Sequence, residues 1–548
     1  RVVNVYSGEI HDAAVAIADG LVVGLGDYRG RAEEELRGAY VVPGLLDAHV
    51  HMESSLLAPA EFAHCVAPHG TTGAFVDPHE VANVRGSVGV EWMLAAARDL
   101  PVRLYVNVPS CVPASPLDQS GAVLDSAEVA RLLELDGVVG LAEMMNYPGV
   151  VFGDDEVLAK LAAAGRRPID GHAPFLGGQQ LCAYLLGGPD SDHECTNPAE
   201  ALEKLRLGCY LLMREGSATR NLAALLPVLN DDNARRICLC CDDIAAEDLL
   251  GEGHIDRIVR EVIAAGVPPL RAVQMATLNT AERFGLSRTI GAIAPGRRAD
   301  LLVLDDLRTF VPRRVYSAGQ LIAADGQALF SPPAVDDTPL RHSVHLAPPS
   351  PTTFALSAPG GPVKVIEVHP SLLLTTAASA EPAVRDGLIE ADPTRDLLLA
   401  ACLERHHGRP EVGLGLVRGF GLQRGALASS VGHDSHHITA VGASREALSV
   451  AVNAVAEAGG GLVVADERGP LASLPLPLAG LMSDQPAADV AAGVRAVRAA
   501  AAELGCTLPD PFMTLSFISL SVIPALRLTP AGLVDVTRFE RTALSAEA

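Results

Sequence analysis

The sequence is poor in aromatic and in basic residues. The first shortage limits how its cores are packed, and the second limits its possible partners. Phe, Trp and Tyr together make up 4% of the 548 residues, and Trp occurs once. The cores must therefore be filled mainly by Ala, Val and Leu. Lys and Arg number 42 against 66 Asp and Glu, which gives a formal net charge of −24. Because an acidic surface repels phosphate, this charge argues against a nucleic-acid polymer as partner, but not against a small neutral ligand.

The sequence also has no apolar run of membrane-spanning length and no pattern of cysteines typical of a disulfide framework. The ten cysteines are scattered, and several lie within apolar segments. Cys238, Cys240 and Cys241 are close together, but the segment ICLCCDD is more typical of a buried strand than of a thiolate site. These observations predict a protein of the reducing cytoplasm with no membrane partner.

The order of the apolar segments predicts the fold. Between residues 43 and 294, eight strand-like segments alternate with segments rich in Ala, Leu, Glu and Arg that are typical of helices. Eight strands with crossover helices over about 250 residues is the size of a (β/α)8 barrel, whose strands are buried on both faces. The expected fold class is therefore α/β, with a TIM-like (β/α)8 barrel over residues 43–294.

Two further domains are expected around this barrel. Residues 1–42 and 295–345 contain short strands separated by glycines, and we expect them to form one small β-sandwich domain from both flanks. Residues 331–362 are rich in Pro, Gly, Ser and Thr, which is linker composition. Residues 346–548 again alternate strands and helices, and this pattern predicts a separate C-terminal α+β domain.

The segment PGLLDAHVHMESS, residues 43–55, carries the first chemical signal. His49 and His51 are alternate residues of a predicted strand, so their imidazoles project to the same face. Neutral imidazole is the commonest metal ligand in proteins and suits Zn, Fe, Mn or Co. A His-x-His pair alone is more typical of a polar strand end with two unrelated histidines, and the residues downstream reverse that interpretation.

Further polar residues occur where the later barrel strands end, and active sites of such barrels lie at the carboxyl ends of strands. Taken singly, each has an ordinary structural interpretation as a helix cap or a solvated loop residue. Their joint occurrence at strand ends, in barrel order, instead favours a site for two divalent metals, which lower the pKa of bound water. The predicted metal ligands are His49, His51, Glu143, His172, His193 and Asp242, with Asp243 as the alternative to Asp242.

Longer segments resemble a known family. They include DAHVHMESS (47–55), DPHEVANV (77–84), LLMREGSATRNL (211–222) and GHDSHHITAVG (432–442), and the resemblance extends over essentially the whole chain. The family is that of the bacterial adenine deaminases, within the metal-dependent amidohydrolase superfamily. The resemblance implies hydrolytic deamination of adenine to hypoxanthine and ammonia, in purine salvage, by a hydroxide bridging two divalent metals. Manganese or iron is the implied metal, and zinc is an alternative.

The resemblance also implies roles for individual residues. Glu143 would bridge the two metals. Asp242 would accept the proton of the hydroxide and help to deliver one to the departing amine. Glu53, Arg220 and Asp243 are candidates for substrate binding, although Arg220 is as readily explained by a structural salt bridge.

Two other groups are candidates for supporting roles. Asp77, His79 and Glu80 follow the second barrel strand and are expected to order the site without touching the metals. The loop His433–His437 of the third domain is interpreted either as a lid or metal neighbour, or as an ordinary surface loop; the family pattern has Asn where His437 stands, which leaves the role of His437 open.

Alternative functions stay open from the sequence alone. Another amidohydrolase, acting on a cyclic amide or a related nucleobase, would share both fold and metals. A barrel without chemistry that serves assembly would lack some of the six ligands, and none is missing. The expected partners are a small-molecule substrate, adenine, and a second copy of the chain in a homodimer.

Overall fold

The computed structural model describes residues 1–331, 333–370 and 374–546. The chain divides into two compact units. The first unit comprises Arg1–Pro78, Val90–Ser110 and Asp125–Val335, and the second comprises His79–Gly89, Cys111–Leu124 and Asp336–Ala548. Two short excursions of the chain therefore belong to the same unit as the C-terminal region.

Short strands and helices alternate along the described residues. The strands up to the end of the barrel are β1 Val2–Asn4, β2 Glu9–His11, β3 Ala14–Ala18, β4 Leu21–Gly26, β5 Tyr40–Pro43, β6 Leu45–His51, β7 Thr71–Val76, β8 Arg103–Val108, β9 Val138–Met144, β10 Ile169–Gly171, β11 Ser191–Asp192, β12 Tyr210–Arg214, β13 Ile237–Cys240 and β14 Asp242–Asp243. The following strands are β15 Leu301–Leu304, β16 Pro312–Ser317, β17 Gln320–Ala324, β18 Gln327–Ala328, β19 Leu356–Ser357, β20 Val363–Val368, β21 Thr375–Ala380, β22 Ala383–Arg385, β23 Leu388–Glu390, β24 Leu398–Leu403, β25 Val412–Arg418, β26 Ala426–Ser429, β27 Ile438–Gly442, β28 Gly461–Asp466, β29 Gly469–Pro475, β30 Leu526–Thr529, β31 Gly532–Asp535 and β32 Glu540–Arg541. The helices are α1 Pro59–Val66, α2 His79–Arg85, α3 Ser87–Ala97, α4 Ser126–Leu133, α5 Tyr147–Phe152, α6 Asp155–Ala164, α7 Gly178–Leu186, α8 Pro198–Arg206, α9 Leu222–Leu225, α10 Ala246–Gly251, α11 Ile255–Ala264, α12 Pro269–Met275, α13 Leu278–Arg283, α14 Arg445–Glu457, α15 Ala487–Glu503 and α16 Pro511–Phe517.

Strands β6 to β14 form a parallel barrel in the first unit. One sheet has the order β10-β9-β8-β7-β6-β14 and another the order β11-β12-β13, with every neighbouring pair parallel. The two sheets are joined where the Asp190 amide donates to the Ile169 carbonyl at 3.1 Å. On the other side, β13 and β14 are separated only by Cys241, so the barrel closes through one strand position. The predicted α/β fold class with a (β/α)8 barrel is confirmed.

Two glycines allow the strands that carry the site to approach each other closely. All seven residues of β6 are buried, as expected for a strand covered on both faces. A side chain at Gly44, just before β6, would overlap the side chain of Thr72 on β7. A side chain at Gly171, at the end of β10, would overlap the carbonyl oxygen of Ser191 on β11. Glycine at these positions therefore brings neighbouring strand ends together.

A smaller β structure, built from both flanks of the barrel, also belongs to the first unit. Its seven-stranded sheet has the order β18-β17-β16-β15-β5-β1-β2, in which β15 from the C-terminal flank pairs with β5 from the N-terminal flank. The hairpin β3–β4 packs against this sheet through a core that includes Val22, Val41 and Leu301. The sequence predicts three domains, which comprise residues 1–42 with 295–345, residues 43–294 and residues 346–548. These boundaries stay a proposal.

The second unit contains an eight-stranded sheet of order β21-β20-β25-β24-β27-β26-β28-β29. Helix α14 packs one face against this sheet through Ala447, Leu448, Ala451, Val452 and Val455, which alternate with three- and four-residue spacing. Mixed strands and helices of this kind agree with the α+β character expected for the C-terminal region.

Two segments differ from the pattern that the sequence predicts. The sequence pattern predicts one strand over residues 429–442. In the structure β26 ends at Ser429 and β27 begins at Ile438, and a loop whose His436 has φ +52° lies between them. The sequence pattern also predicts one helix over residues 270–285. The structure splits it into α12 and α13 at Thr277, whose φ of −142° is not helical and whose hydroxyl donates to the Val273 carbonyl at 2.6 Å.

Within residues 1–331, 333–370 and 374–546, every helix is too short or too polar to cross a bilayer. The ten cysteines all lie in these ranges as free thiols, and Cys182 is the exposed one among them.

Candidate active site

His49 and His51 lie at the carboxyl end of β6 and are buried. Their Nε2 atoms are 3.1 Å apart. Asp242 Oδ1 lies 3.6 Å from His49 Nε2 and 3.2 Å from His51 Nε2. The pairing of β14 with β6, in register Asp242 to Val50, places the carboxylate there. Asp242 has φ +62°, a left-handed conformation that Asp tolerates better than most residues.

Glu143 connects this pair of histidines with a second pair. It lies in β9, and its Oε1 is 3.2 Å from His51 Nε2. Its Oε2 is 2.5 Å from His172 Nδ1 and 3.2 Å from His193 Nε2. The imidazole of His193 in turn stacks on that of His49, with ring centroids 4.3 Å apart. The structure therefore brings together all six residues that were predicted as metal ligands.

The donor atoms of this cluster fit divalent metals. The ligand atoms of His49, His51 and Asp242 lie within 4.8 Å of one another, as do those of His49, Glu143 and His193. Imidazole nitrogen with carboxylate oxygen is a set that Zn, Fe and Mn accept. When these two imidazoles are deprotonated, their facing Nε2 atoms present at least one lone pair toward the same space. The residues present thus fit a cation better than an uncharged packing arrangement.

The electrostatics of the cluster also favour positive charge. Burial lowers the pKa of His49, but hydrogen bonding with Asp170 and Asp242 outweighs burial and raises that pKa to about 10. Burial raises the pKa of Glu143, but His172, followed by His193 and His51, brings it well below its usual range. Ionised carboxylates in a buried site attract cations strongly, because the local dielectric is low.

Residues behind the histidines hold them in place. Asp170 Oδ2 lies 3.6 Å from His49 Nδ1, accepts from Asn107 Nδ2 at 3.3 Å, and the Asp170 carboxylate is paired with buried Arg283. His51 Nδ1 lies 3.1 Å from the Asp77 carbonyl oxygen. Partners of this kind fix the ring orientation of metal-binding histidines.

Sequence reasoning missed two charged residues of this site, Arg214 and Glu194. Arg214 Nη1 is 2.6 Å from Asp242 Oδ2 and also hydrogen-bonds Glu194, whose Oε1 lies 3.5 Å from His193 Nε2. The signal was available. Arg214 is the last residue of β12, a strand end like those of the other candidates, and Glu194 directly follows His193.

The candidates for substrate binding are placed differently from one another. Glu53 is buried in a short turn after β6, and Asp243 accepts a hydrogen bond from Ser54. The Arg220 side chain is 46% exposed and lies 3.7 Å from carboxylates of Glu215 and Glu252. Their roles toward a substrate stay predictions.

The second unit holds the remaining candidates, His79, Glu80 and the loop 433–437. Glu80 Oε1 lies 2.6 Å from His433 Nδ1, and Glu80 also hydrogen-bonds His436. His79 Nε2 is 3.8 Å from Asp434 Oδ1, and His437 Nε2 is 2.6 Å from the Gln119 carbonyl. All five loop residues are buried. The loop is therefore an ordered, buried part of this unit rather than a solvated surface loop, and a lid or metal-neighbour role stays a prediction.

Comparison with known proteins shows which family this chain resembles. Residues 40–322 match the model of the amidohydrolase family, and residues 372–540 match that of the adenine deaminase C-terminal domain. The adenine deaminase of Oleidesulfovibrio alaskensis is 48% identical over 98% of this chain and 94% of its own length. That of Desulfatibacillum aliphaticivorans is 47% identical over 99% and 96%, and that of Methanothrix thermoacetophila 46% identical over 100% and 96%. The chain belongs to the adenine deaminase family.

The family predicted from the sequence segments is confirmed. Within this adenine deaminase family member, the amidohydrolase match spans all six clustered residues. The amidohydrolase family implies a divalent metal, which the cluster of His49, His51, Glu143, His172, His193 and Asp242 fits.

Proposed function

We propose that this chain catalyses the hydrolytic deamination of adenine to hypoxanthine and ammonia, as an aminohydrolase of purine salvage. The observation that carries this proposal is the identity of 46–48%, over nearly the full length, to relatives named adenine deaminase. The clustered histidines and carboxylates support it, because they supply a site for metal-assisted hydrolysis. The substrate proposed is a small molecule, the free base.

Two divalent metals would be held by the six clustered residues. Glu143 is the proposed shared ligand, because its two oxygens face different histidines. Divalent cations supply Lewis acidity, which makes water acidic enough to act as a nucleophile at neutral pH. Manganese or iron is proposed, with zinc as the alternative, since the donor set suits all three.

Asp242 is the proposed proton carrier. In the overall reaction the oxygen of water becomes bonded to C6 of adenine, the bond from C6 to the exocyclic nitrogen breaks, and ammonia leaves. Asp242 would accept a proton from the water and deliver one to the departing nitrogen. Its Oδ1 faces the histidines while Arg214 holds its Oδ2, so one oxygen is presented to the reacting groups.

Glu53, Asp243 and Arg220 are proposed to contact the purine. Glu53 lies in the turn that directly follows His51, and Asp243 is the partner of His51 where β14 pairs with β6. This proximity to the histidines supports their inclusion. Arg220 has weaker support, because its exposed side chain lies near two carboxylates.

The proposed setting is a homodimer in the cytoplasm. Ten free cysteine thiols support a reducing compartment. The net charge of −24 supports the absence of a nucleic-acid partner.

Ammonia release tests the proposal directly. Purified protein, stripped of metal and reloaded with Mn²⁺, Fe²⁺ under anaerobic conditions, or Zn²⁺, is assayed with adenine, adenosine and a cyclic amide such as dihydroorotate. We expect ammonia from adenine at about 1–10³ per second, and little from adenosine. Absence of ammonia from adenine at micromolar enzyme, or faster opening of the cyclic amide, contradicts the proposal.

A further inference from the structure

The guanidinium of Arg214 lies between two carboxylates of the first unit. Its Nη1 is 2.6 Å from Asp242 Oδ2, and the same nitrogen hydrogen-bonds Glu194 Oε1. Arg214 is 7% exposed. The two hydrogens of one guanidinium nitrogen can each serve a different acceptor, so this atom joins the two carboxylates.

The two carboxylates face different halves of the histidine cluster. Asp242 Oδ1 lies 3.2 Å from His51 Nε2, on the side of β6. Glu194 Oε1 lies 3.5 Å from His193 Nε2 and 3.9 Å from His172 Nδ1. Arg214 therefore links a carboxylate beside the first histidine pair with a carboxylate beside the second.

The backbone holds this arrangement in register. The Asn221 side chain accepts from the Arg214 amide at 2.9 Å and donates to the His193 carbonyl at 2.9 Å. One side chain thus ties the end of β12 to the residue before Glu194. Side chains whose backbones are fixed together in this way lose little further freedom when they pair.

We propose that Arg214 is a positioning residue, which binds Asp242 Oδ2, leaves Oδ1 directed toward His49 and His51, and couples Asp242 to Glu194. Glu194 is thereby a further residue of the active centre. The inference rests on the proposed function in that it assigns Asp242 to the metal centre of an adenine deaminase.

The sign of two effects separates this role from a purely structural one. Arg214 carries the same sign of charge as a metal ion, so its removal relieves repulsion and strengthens metal binding. Its removal also leaves Asp242 Oδ2 with the longer hydrogen bond from the Thr219 hydroxyl, at 3.4 Å, in place of the charged contact at 2.6 Å, so the carboxylate is held less firmly and turnover slows. Loss of a framework residue would instead weaken metal binding and turnover together.

Arg214→Met and Arg214→Lys are compared with wild type and with a control, Arg271→Met. Arg271 forms a surface pair with Asp231 at 3.3 Å. Mn²⁺ affinity is measured without substrate, by competition with a coloured chelator, and kcat and KM are measured for adenine. For Arg214→Met we expect Mn²⁺ binding at least as tight as in wild type, kcat lower by about 10–100-fold, and KM within about threefold.

Arg214→Lys separates charge from orientation. Lysine keeps the positive charge but is a point donor without the planar fork, so it cannot hold both carboxylates as arginine does. We expect wild-type Mn²⁺ affinity with a kcat between those of wild type and Arg214→Met. This variant also carries the test if Arg214→Met does not fold. A kcat of Arg214→Lys within twofold of wild type overturns the proposal, as does a joint loss of metal affinity and kcat.

Glu194→Gln tests the coupling between the carboxylates. If Glu194 acts through Arg214, the double variant Arg214→Met/Glu194→Gln is no slower than Arg214→Met alone. If the two substitutions lower kcat independently, so that their factors multiply in the double variant, the proposed coupling is overturned. The visible spectrum of Co²⁺-loaded protein gives a readout without adenine. We expect Arg214→Met to show weaker absorption, because Asp242 Oδ2 would then be available as an additional ligand. If wild-type protein releases no ammonia from adenine, the proposed function fails, whereas the metal affinities and the cobalt spectra still test Arg214.

Discussion

The Nε2 atoms of His49 and His51 lie 3.1 Å apart and both face Asp242 Oδ1. Imidazole nitrogens at this separation are accommodated by a shared proton or by a cation that both bind. Carboxylates on both sides, from Asp242 and Glu143, supply negative charge that a divalent cation neutralises more fully than a proton. The relationship between the two histidines is therefore the part of the structure on which the metal proposal depends most.

Removal of metal should lower the stability of the first unit. A ligand that binds only the folded state adds about 4 kcal/mol to the free energy of unfolding when its concentration is 1,000 times its dissociation constant. We expect calorimetry to show a lower unfolding temperature after chelation and recovery after addition of Mn²⁺. An unfolding temperature that is unchanged by chelation, in protein shown by elemental analysis to have lost its metal, contradicts the assignment of this cluster.

Glu143→Gln should abolish turnover and reduce the number of bound metals. The amide that replaces one carboxylate oxygen cannot serve both histidine pairs as an anion, so at least one metal loses a charged ligand. We expect adenine turnover to fall by at least about 100-fold, with an unchanged far-ultraviolet circular dichroism spectrum. The control is Glu134→Gln, because the Glu134 side chain is 74% exposed and pairs with Arg167 at 3.1 Å. Turnover that survives in Glu143→Gln shows that the ligand set is wrong.

Glu80→Gln should loosen the loop 433–437 within the second unit. Burial raises the pKa of Glu80, but His436, His433 and His79 outweigh it and hold that pKa well below the usual range. A carboxyl whose folded-state pKa is depressed stabilises the fold above its unfolded value of about 4.3, and this contribution is lost as pH falls through the folded value. We expect faster hydrogen exchange of the loop amides in Glu80→Gln at pH 7. In wild type we expect the same acceleration only at acid pH.

The result for Glu80 is checked by comparing the two proteins across pH. Because glutamine does not titrate, exchange in the variant should show no additional acid dependence beyond the intrinsic rate. Equal protection of the loop in both proteins at pH 7 would show that the contacts of Glu80 with His433 and His436 add nothing to the stability of this loop.

The six clustered residues could be predicted because active sites of such barrels lie at the carboxyl ends of strands, and this needs only the position of each residue along a barrel strand. His49 and His51 follow from the two-residue period of β6, and Asp242 from the pairing position of β14. Arg214 stands at a strand end too, but its long side chain reaches a carboxylate that sequence spacing does not identify. The split at Thr277 coincides with a local hydrogen bond, in which the hydroxyl donates to the carbonyl of Val273, four residues earlier, whereas propensity alone favours a continuous helix.

The loop 430–437 was the least predictable part of the fold. Its polar composition suits either solvent or a buried network, and only the partners of the loop, such as Glu80 and Gln119, distinguish the two. These partners come from residues 79–89 and 111–124, more than 300 positions away along the chain. Local sequence patterns do not reveal contacts between residues so far apart in the chain. Both the strand predicted there and the surface-loop alternative were therefore wrong.

Asp118→Asn should stabilise the protein at pH 8 and remove a pH dependence of its stability. Burial raises the pKa of Asp118 to about 7, against hydrogen bonds from Ser521 at 2.7 Å and from Ser115, and Asp434 adds to the rise. Between pH 4 and 7 the folded state therefore holds a proton that the unfolded state has released, so the free energy of unfolding falls as pH rises, by up to about 4 kcal/mol. Asparagine has no such proton. Calorimetry at pH 5 and pH 8 should show a smaller difference in unfolding temperature for Asp118→Asn than for wild type. The surface control Asp99→Asn should behave like wild type. Equal differences in all three proteins would show that Asp118 is ionised in the folded state at pH 5.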